Sequence, residues 1–278
     1  KTTCSTTEVR RLMQFASALQ DKTGKGYVSA SSLKYAVPSS KDFDMMAWEL
    51  NMKGELKKTG KHFTFGGLYD MLLLEPENVW DKYVVLKDEE ICAEIGGKNP
   101  RATKKYKEWA AEQSKGKELI SWVEYNTAKV MVKRLKNSEV VDYSTGEVVS
   151  LSRFIQGEPQ KEFNDWIGDV PVRGFLDVLG DGFITDVKTT RSMKAFKYDV
   201  FDLNYDLQAY IYCSVFDIKD FYWLAQVKDK PYTCALIKAS EETLARGEQK
   251  FNEAVSNIEQ WLITEPKATE TFALQYTL

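Results

Sequence analysis

The sequence contains few of the residues from which many protein sites are built. Its single histidine, His62, excludes clusters of histidine ligands and argues against a Ser-His triad. The four cysteines, Cys4, Cys92, Cys213 and Cys234, form no Cys-x-x-Cys pair, so no zinc or iron–sulfur site is indicated. We expect them to be reduced thiols of a cytoplasmic protein. Carboxylates must therefore carry any chemistry.

Long apolar runs and an excess of positive charge are also missing. No segment is apolar enough to span a membrane, and no signal-peptide pattern is present, so we expect no membrane partner. With 38 basic and 41 acidic residues, the net charge is -3. The molecule as a whole is not a basic nucleic-acid binder, and any site for a polyanion must be a local patch.

The 278 residues contain no linker-like stretch and no internal repeat, which predicts a single α/β domain. Helical spacing of apolar residues predicts a mostly helical half over residues 1–138, with a basic helix at 98–119. Alternating patterns from residue 139 predict a mixed sheet, a helix at 202–218 and a closing helix that ends at 261. Residues 264–278 are expected to form a loosely held tail.

One predicted hairpin carries an unusual set of charges. The apolar pairs at 178–179 and 183–184 flank an Asp-Gly turn, which indicates two antiparallel strands. If Asp181 and Gly182 form a two-residue type I′ loop, Asp177 lies directly opposite Asp186. Carboxylates paired in this way would be about 4.5–5.5 Å apart at their β-carbons and would repel each other.

Strand alternation places Lys188 on the same face as Asp186, so that an ammonium group joins the two carboxylates. A divalent cation held by Asp177 and Asp186 would neutralise this patch. The alternative is a surface hairpin whose solvated aspartates are offset by Lys188.

Three further features could belong to the same site. Glu158 ends the predicted strand "SLSRFIQGE", near an edge of the sheet. Asp70 lies within the apolar segment "GGLYDMLLLEPE", where a carboxylate either faces solvent or needs a partner or a metal. Gln208 and Tyr212, spaced i and i+4, share one face of the predicted helix, a spacing that also suits ordinary packing at the edge of the core.

The order of these features resembles the PD-(D/E)xK nucleases, in their RecB-like exonuclease branch. In detail it is similar to the RecE-type exonucleases of phages and prophages, a group similar in kind to lambda exonuclease. The resemblance extends from about Val28 to Tyr212 through the blocks "VSASSLKYA", "FGGLYDMLLLEPE", "NPRATKKYKEW", "GEP…RGFLDVL", "ITDVKTT" and "LQAYIY". It implies a nuclease core in which helices flank a mixed sheet with an antiparallel catalytic hairpin.

The resemblance assigns roles to individual residues. It implies that Asp177 and Asp186 bind metal, that Lys188 is the catalytic lysine, and that the backbone carbonyl of Val187 is a further ligand. Glu158 corresponds to the upstream acid of the family.

Gln208 and Tyr212 correspond to the Gln-x-x-x-Tyr motif of the family's helix. Asp70 stands where the family commonly has a histidine, and an aspartate suits Mg²⁺ or Mn²⁺ at least as well. The segment before Asp177 is Arg-Gly-Phe-Leu, without the usual proline.

The activity implied by the resemblance is Mg²⁺-dependent hydrolysis of linear double-stranded DNA from its 5′ end, with Mn²⁺ as a substitute. It implies DNA ends as substrate, a 3′ single strand as product, a single-strand annealing protein as partner and a ring of identical subunits. The alternatives are an endonuclease on the same core and a DNA-binding recombination module with a decayed nuclease site.

Two basic stretches and a serine cluster are candidate DNA contacts. Residues 98–107 carry one group of cations, and Arg191 with Lys194 and Lys197 forms another; either group could also be a solvated helix face. Ser31, with Ser29, lies where a helix N-terminus could bind a terminal 5′-phosphate.

Overall fold

The computed structural model describes residues 6–56, 61–97, 99–142 and 145–263, without the side chains of residues 6–13 and 61–63. The predicted tail at 264–278, Cys4, and Lys98 of the basic stretch lie outside these residues. The side chain of His62 also lies outside them, although its backbone belongs to a helix.

Helices and strands follow one another in the order expected for a helical half and a sheet half. The helices are α1 (Thr6–Thr23), α2 (Ala30–Leu33), α3 (Met45–Lys53), α4 (Lys61–Leu74), α5 (Val79–Lys82), α6 (Asp88–Ile95), α7 (Lys104–Ser114), α8 (Trp122–Lys136), α9 (Met193–Asp202), α10 (Tyr205–Phe216) and α11 (Glu241–Ile263). The strands are β1 (Tyr83–Leu86), β2 (Glu118–Ser121), β3 (Glu139–Val141), β4 (Val148–Ser150), β5 (Glu158–Ile167), β6 (Val170–Leu179), β7 (Phe183–Thr190), β8 (Asp220–Val227) and β9 (Cys234–Lys238).

A five-stranded sheet in the order β5-β6-β7-β8-β9 forms the centre of the second half. The β7–β8 pair is parallel and the other neighbouring pairs are antiparallel, which confirms the prediction of a mixed sheet. Parallel neighbours need a crossover, and α9 and α10 provide it between β7 and β8. The candidate hairpin therefore lies inside the sheet.

Both faces of the sheet are covered by helices. One face packs against α1, α10 and α11, and the side chain of Ile184 points into that core. The other face packs against α4 and α8 through Tyr69 and Met131, and Val187 points to that side. Successive side chains of β7 point to opposite faces of the sheet. Because both faces are covered, the side chains on each face are buried or half-buried.

Helix α11 contacts α10 closely at one glycine. A β-carbon on Gly247 would lie only 2.2 Å from the backbone oxygen of Asp206 and 2.7 Å from Cβ of Tyr210. Glycine is required here because any side chain would separate the two helices. None of the described helices combines the length and apolar character needed to cross a bilayer.

Several predicted elements differ from the structure. Residues 98–119 do not form one helix, because they divide into a 3₁₀ turn at Pro100–Ala102, α7 and strand β2. Strand β2 pairs in parallel with β1, so that the helical half contains a small sheet. The helix predicted at 202–218 is interrupted at Asn204, and α9 precedes it.

The end of the predicted strand "SLSRFIQGE" is also different. Residues Leu151–Ile155 form a 3₁₀ helix, and Glu158 begins β5. The hairpin loop is not a type I′ turn, since only Gly182 of its two central residues has a positive φ, at 78°. Its register is nevertheless the expected one, because the N–H of Gly180 donates to the carbonyl of Phe183 at 2.9 Å.

Candidate active site

The β6–β7 ladder ends where the charged residues begin. Backbone pairing joins Val178 to Thr185 and Leu179 to Ile184, and the same register places Asp177 opposite Asp186. Beyond that point the N–H of Val187 donates to Oδ2 of Asp177 at 2.7 Å. The carboxylate replaces a backbone carbonyl as acceptor, so the hairpin opens at the site.

The β5 side of Asp177 is interrupted as well. Pairing between β5 and β6 includes Pro159 with Val178 and Lys161 with Leu176 but omits Gln160 with Asp177. Gln160 has a positive φ of 48°, and its side-chain amide approaches Oδ1 of Asp177 at 3.5 Å. Asp177 is therefore held by one strong and one long hydrogen bond instead of by ladder bonds.

Asp186 and Lys188 form a close ion pair on the face of β7 that also carries Ile184. Nζ of Lys188 lies 2.5 Å from Oδ2 of Asp186, whose side chain is 2% exposed. Apart from this ammonium group, Oδ2 has no hydrogen-bond donor within the described part of the chain. A carboxylate oxygen has more than one lone-pair site, so Oδ2 can also contact a further cation.

Asp70 reaches the same cluster from the last turns of α4. It is half-buried, and its charge interacts with those of Asp177, Asp186 and Lys188. Burial and the neighbouring Asp177 raise the pKa of Asp70 well above its ordinary value, with Lys188 acting in the opposite direction. Asp70 thus lies near the charges of the hairpin, and its role as a metal ligand remains a prediction.

The excess of carboxylates shifts the proton equilibria of the hairpin. Burial raises the pKa of Asp186 to about 6, against the lowering effect of Lys188. Burial also raises the pKa of Asp177, while Lys188 and the Val187 N–H lower it. For Lys188, burial alone would lower the pKa, but the two carboxylates raise it above its ordinary value. The lysine therefore remains an ammonium ion.

Helix α10 forms one wall of the site. Gln208 donates to the hydroxyl of Tyr212 at 3.0 Å, and that hydroxyl donates to the carbonyl of Phe175 at 2.7 Å. A further hydrogen bond from Gln208 lowers the pKa of Asp186. The Gln-x-x-x-Tyr pair thus connects α10 to both strands of the hairpin, β6 and β7.

The donor set suits one small hard cation. Asp177 and Asp186 provide carboxylate oxygens, and Mg²⁺ is commonly bound through one or two carboxylates while it keeps several waters. Oδ2 of Asp186, which no described hydrogen-bond donor other than Lys188 reaches, is compatible with such an ion. Within the described ranges no three or more His, Cys, Asp or Glu side chains converge as a complete ligand cluster, so the protein contributes a partial shell.

Glu158, the other predicted metal ligand, is not brought to this cluster. It is exposed, and its carboxylate pairs with Lys161 at 2.7 Å. Its predicted position at the end of one strand was wrong, because it begins the next strand, where it pairs with Leu179. The structure therefore gives no support to Glu158 as a ligand.

The predicted DNA contacts lie at different distances from the cluster. Arg191 is exposed directly after β7, followed by the exposed Lys194 and Lys197 on α9. Ser31 is exposed and lines a cleft of about 660 Å³ that also includes Gln208 and Tyr212.

The cations of the predicted rail at 98–107 mostly have partners already. Arg101 lies 2.5 Å from Asp88, Lys104 lies 3.5 Å from Glu108, and Lys105 donates to a backbone carbonyl. Their placement favours a solvated helix surface over a phosphate contact.

Some residues near the site had no recognised signal in the sequence. The ring of Tyr205 lies 4.9 Å from Nζ of Lys188 and covers the ammonium group. The charges of Lys228 and Lys82 both interact with the charge of Asp70. Tyr205 lies i−3 from Gln208 on α10, so helical spacing could have identified it. The two lysines come from other elements and carry no local pattern.

Comparisons with known proteins identify a family and a similar fold for this chain. The profile of a family described as a PDDEXK-like domain of unknown function (DUF3799) matches residues 29–275. A crystal structure from Eubacterium rectale, of a protein provisionally named an exonuclease, aligns with 100% of this chain and 97% of its own at a TM-score of 0.59 and 12% identity. At that identity the similarity shows the fold alone.

Two other comparisons add nothing to the argument. The solved structure of SSO0001 aligns with 73% of this chain and 87% of its own, at 15% identity and a TM-score of 0.28. That score is too low to indicate a shared fold. No curated protein matches the sequence.

Proposed function

This chain belongs to the family of PDDEXK-like domains, and from that premise we propose that it is a Mg²⁺-dependent deoxyribonuclease. The observation that carries the proposal is the meeting of Asp177, Asp186 and Lys188 at the point where the hairpin opens. We further propose that the enzyme is an exonuclease that degrades linear double-stranded DNA from 5′ to 3′.

Asp177 and Asp186 would hold the metal, with the Val187 carbonyl as a further ligand and Asp70 beside them. When bound, Mg²⁺ or Mn²⁺ polarises a phosphodiester and lowers the pKa of a coordinated water. The Val187 N–H and Gln208 orient the two carboxylates by hydrogen bonds. The protein thus fixes its oxygen ligands before the substrate arrives.

Lys188 would place positive charge next to the attacking water and the phosphorus. Its ammonium group is held between Asp186 and the ring of Tyr205, which leaves it little rotational freedom. Because its pKa is raised, Lys188 acts as a fixed cation that orients the water and stabilises negative charge in the transition state.

The 660 Å³ cleft beside α10 would receive the DNA end. Its lining includes Ser31 and Lys25, which suit a phosphate group, and also Lys34 and Arg173, which already pair with Asp42 and Glu162. Gln208 connects this cleft to Asp186, so a strand end bound there would extend directly to the candidate metal ligands. Arg191 lies at the C-terminal end of β7 as a second possible phosphate contact.

We propose in addition a cytoplasmic ring of identical subunits that encloses the duplex and delivers a 3′ single strand to an annealing protein. The slightly negative net charge supports the ring, because a single subunit has little electrostatic attraction for DNA. Closed cyclic symmetry would place one basic patch per subunit around the DNA.

Digestion of end-labelled linear duplexes in Mg²⁺ tests the proposal, with a closed circular plasmid as the matched substrate. Release of label from the 5′ end with an intact plasmid is the expected result. Release from the 3′ end would reverse the polarity, and nicking of the plasmid would indicate an endonuclease. A protein that cleaves neither substrate would leave the decayed-site alternative.

A further inference from the structure

A row of three aromatic rings lies on the surface formed by α5 and α8. The ring centroids of Trp80 and Tyr125 are 5.4 Å apart, and those of Trp122 and Tyr125 are 5.8 Å apart. The two indoles are 52% and 43% exposed, while Tyr125 is buried between them. We call these three residues the aromatic row.

The sequence explains why the rings are aligned. Trp122 and Tyr125 are spaced i and i+3 at the start of α8, so they occupy one face of the helix. Trp80 comes from α5, which leads into β1, and β1 pairs with the strand directly before α8. The small parallel sheet thus places Trp80 against the same helix face.

Lysines surround the aromatic row. Nζ of Lys87 lies 5.4 Å from the ring of Trp122, and Nζ of Lys129 lies 5.3 Å from that of Tyr125. Lys117 donates to the carbonyl of Trp80 at 2.5 Å. Lys87 has the exposed Glu90 at 3.6 Å, whereas Lys117 and Lys129 have no carboxylate at ion-pair distance in the described ranges.

The aromatic row is adjacent to the candidate active site. Lys82, two residues after Trp80, interacts with Asp70, and its Nζ lies 3.7 Å from the position that a β-carbon on Gly67 would occupy. Gly67 and Asp70 are one turn apart on α4 and share a face. Lys82 therefore connects the short helix that carries Trp80 to the face of α4 that carries Asp70.

On the basis of the proposed nuclease function, we propose that the aromatic row binds the unpaired bases of a single DNA strand next to the active site. Exposed rings stack on bases whose faces are free, and the bases of an intact duplex already stack on one another. Lys87 and Lys129 now lie over the rings of Trp122 and Tyr125, and their long side chains can turn from the rings to the phosphates of the same strand.

The charge of this surface favours nucleic acid over a protein partner. Protein–protein interface cores are enriched in Trp and Tyr but depleted in Lys. Here Lys87 lies over the indole of Trp122, and Lys117 is held beside Trp80 by its hydrogen bond to the backbone carbonyl of that residue. Aromatic rings combined with ammonium groups are the arrangement by which proteins bind single strands without regard to sequence.

Binding of a fluorescein-labelled oligothymidine in EDTA tests this inference without any hydrolysis. We expect Trp80→Ala and Trp122→Ala each to weaken binding by about 5- to 150-fold, the value of one lost stacked base. Trp166→Ala is the matched control, because this indole is 47% exposed but lies on β5. The Trp166→Ala protein should bind oligothymidine with the affinity of the wild type.

A salt titration gives a second readout. Lys129→Ala should reduce the slope of log K against log salt by about 0.7, the contribution of one phosphate contact on a single strand. Binding of a blunt duplex should change little in the two tryptophan variants.

Unchanged oligothymidine binding in both tryptophan variants would overturn the inference, whatever the outcome of the cleavage assay. Light scattering identifies the competing occupant, since a fall in oligomer mass with unchanged DNA binding would show that the row contacts a second copy of the chain. If the tryptophan variants lose strand binding and the wild type cleaves no DNA, the proposed role of the aromatic row is supported and the proposed nuclease activity is refuted.

Discussion

The protein buries two lysine–aspartate pairs, and they differ in one respect that separates a structural contact from a candidate active site. Lys188 and Asp186 lie 2.5 Å apart in the sheet, and Lys250 and Asp206 lie 2.9 Å apart between α11 and α10. Lys188 contacts Oδ2 of Asp186 and Lys250 contacts Oδ1 of Asp206, and both aspartates are buried. Burial and a lysine partner therefore do not distinguish the two pairs.

The balance of charge does distinguish them. Lys250 faces one carboxylate and also donates to the carbonyl of Phe201 at 2.9 Å, so the pair is neutral and its ammonium is satisfied. In the hairpin, by contrast, Asp186 has both Asp177 and Asp70 near it, with Lys188 as the buried cation. Burial raises the pKa of all three carboxyl groups, and neighbouring carboxylates raise it further for Asp186 and Asp70. This excess of buried carboxylates is the feature that calls for a metal.

Removing members of the hairpin pair should have the largest effect on activity. Asp186→Asn and Lys188→Ala are each expected to slow hydrolysis by about 10²- to 10⁴-fold, because they remove a metal ligand and a fixed cation. Single-turnover digestion of a linear duplex measures this loss. The metal-free Asp186→Asn protein should unfold at an equal or higher urea concentration, since one repelling charge is gone. Near-normal activity in either variant would contradict its role.

Removing the lysine of the other pair, Lys250 and Asp206, should affect stability. Lys250→Met leaves Asp206 buried and uncompensated, and we expect a loss of about 3–5 kcal/mol in the free energy of unfolding. Urea titration in EDTA measures it. Adding Asp206→Asn to Lys250→Met should recover most of the loss. A mild effect of Lys250→Met would show that this pair is not the neutral structural contact that we describe.

The sequence was sufficient for the hairpin pair but not for the other one. Asp177, Asp186 and Lys188 are related by a short turn and strand alternation, so local rules place them together even though the turn type was wrong. Lys250 and Asp206 come from two helices whose contact depends on Gly247. No local pattern specifies such a long-range contact.

The helical half shows the same limit. Helix α4 could be predicted from its apolar content, and Gln208 with Tyr212 could be placed on one helix face by spacing. The pairing of β1 with β2 could not be predicted. Each strand has four residues, and α6 and α7 separate them in the chain, so no local pattern relates the two. The aromatic row depends on that pairing and had no sequence signal.

Proton binding offers a smaller test of the charge excess. Because burial raises the pKa of Asp186 to about 6, the folded protein binds this proton more tightly than the unfolded chain does. The stability from this group is complete below its ordinary pKa and is lost as the pH rises from about 4 to 6, on the order of 3 kcal/mol.

Urea titrations of the metal-free protein across this pH range, compared with Asp186→Asn, measure that loss. The difference, taken as the free energy of unfolding of the wild type minus that of Asp186→Asn, should fall and become negative as the pH rises. Mg²⁺ should stabilise the wild type more at pH 7 than at pH 5, since the ion requires ionised carboxylates. A difference that grows with pH would mean that Asp186 is held in its charged form without a metal.

The smallest effect should come from Glu158, which the structure separates from the charge excess. Glu158→Gln removes an exposed ion pair with Lys161, so stability should change by less than about 0.5 kcal/mol and hydrolysis by less than about twofold. Asp70→Asn is the matched comparison, and it should reduce the Mg²⁺ affinity measured by titration of activity. If Glu158→Gln shows the larger defect, the upstream acid does act at the site.

The close contact at Gly247 has a consequence for the shape of the cleft. Helix α10, which carries Gln208 and Tyr212, cannot move outward, because α11 already lies against its backbone. The opposite side of the opening is also attached: the N–H of Val28 donates to the carbonyl of Pro171 at 3.0 Å, and the N–H of Arg173 donates to that of Val28 at 2.9 Å. With both sides anchored to packed elements, we expect the opening to keep its width, so that it would admit or reject a molecule by its thickness.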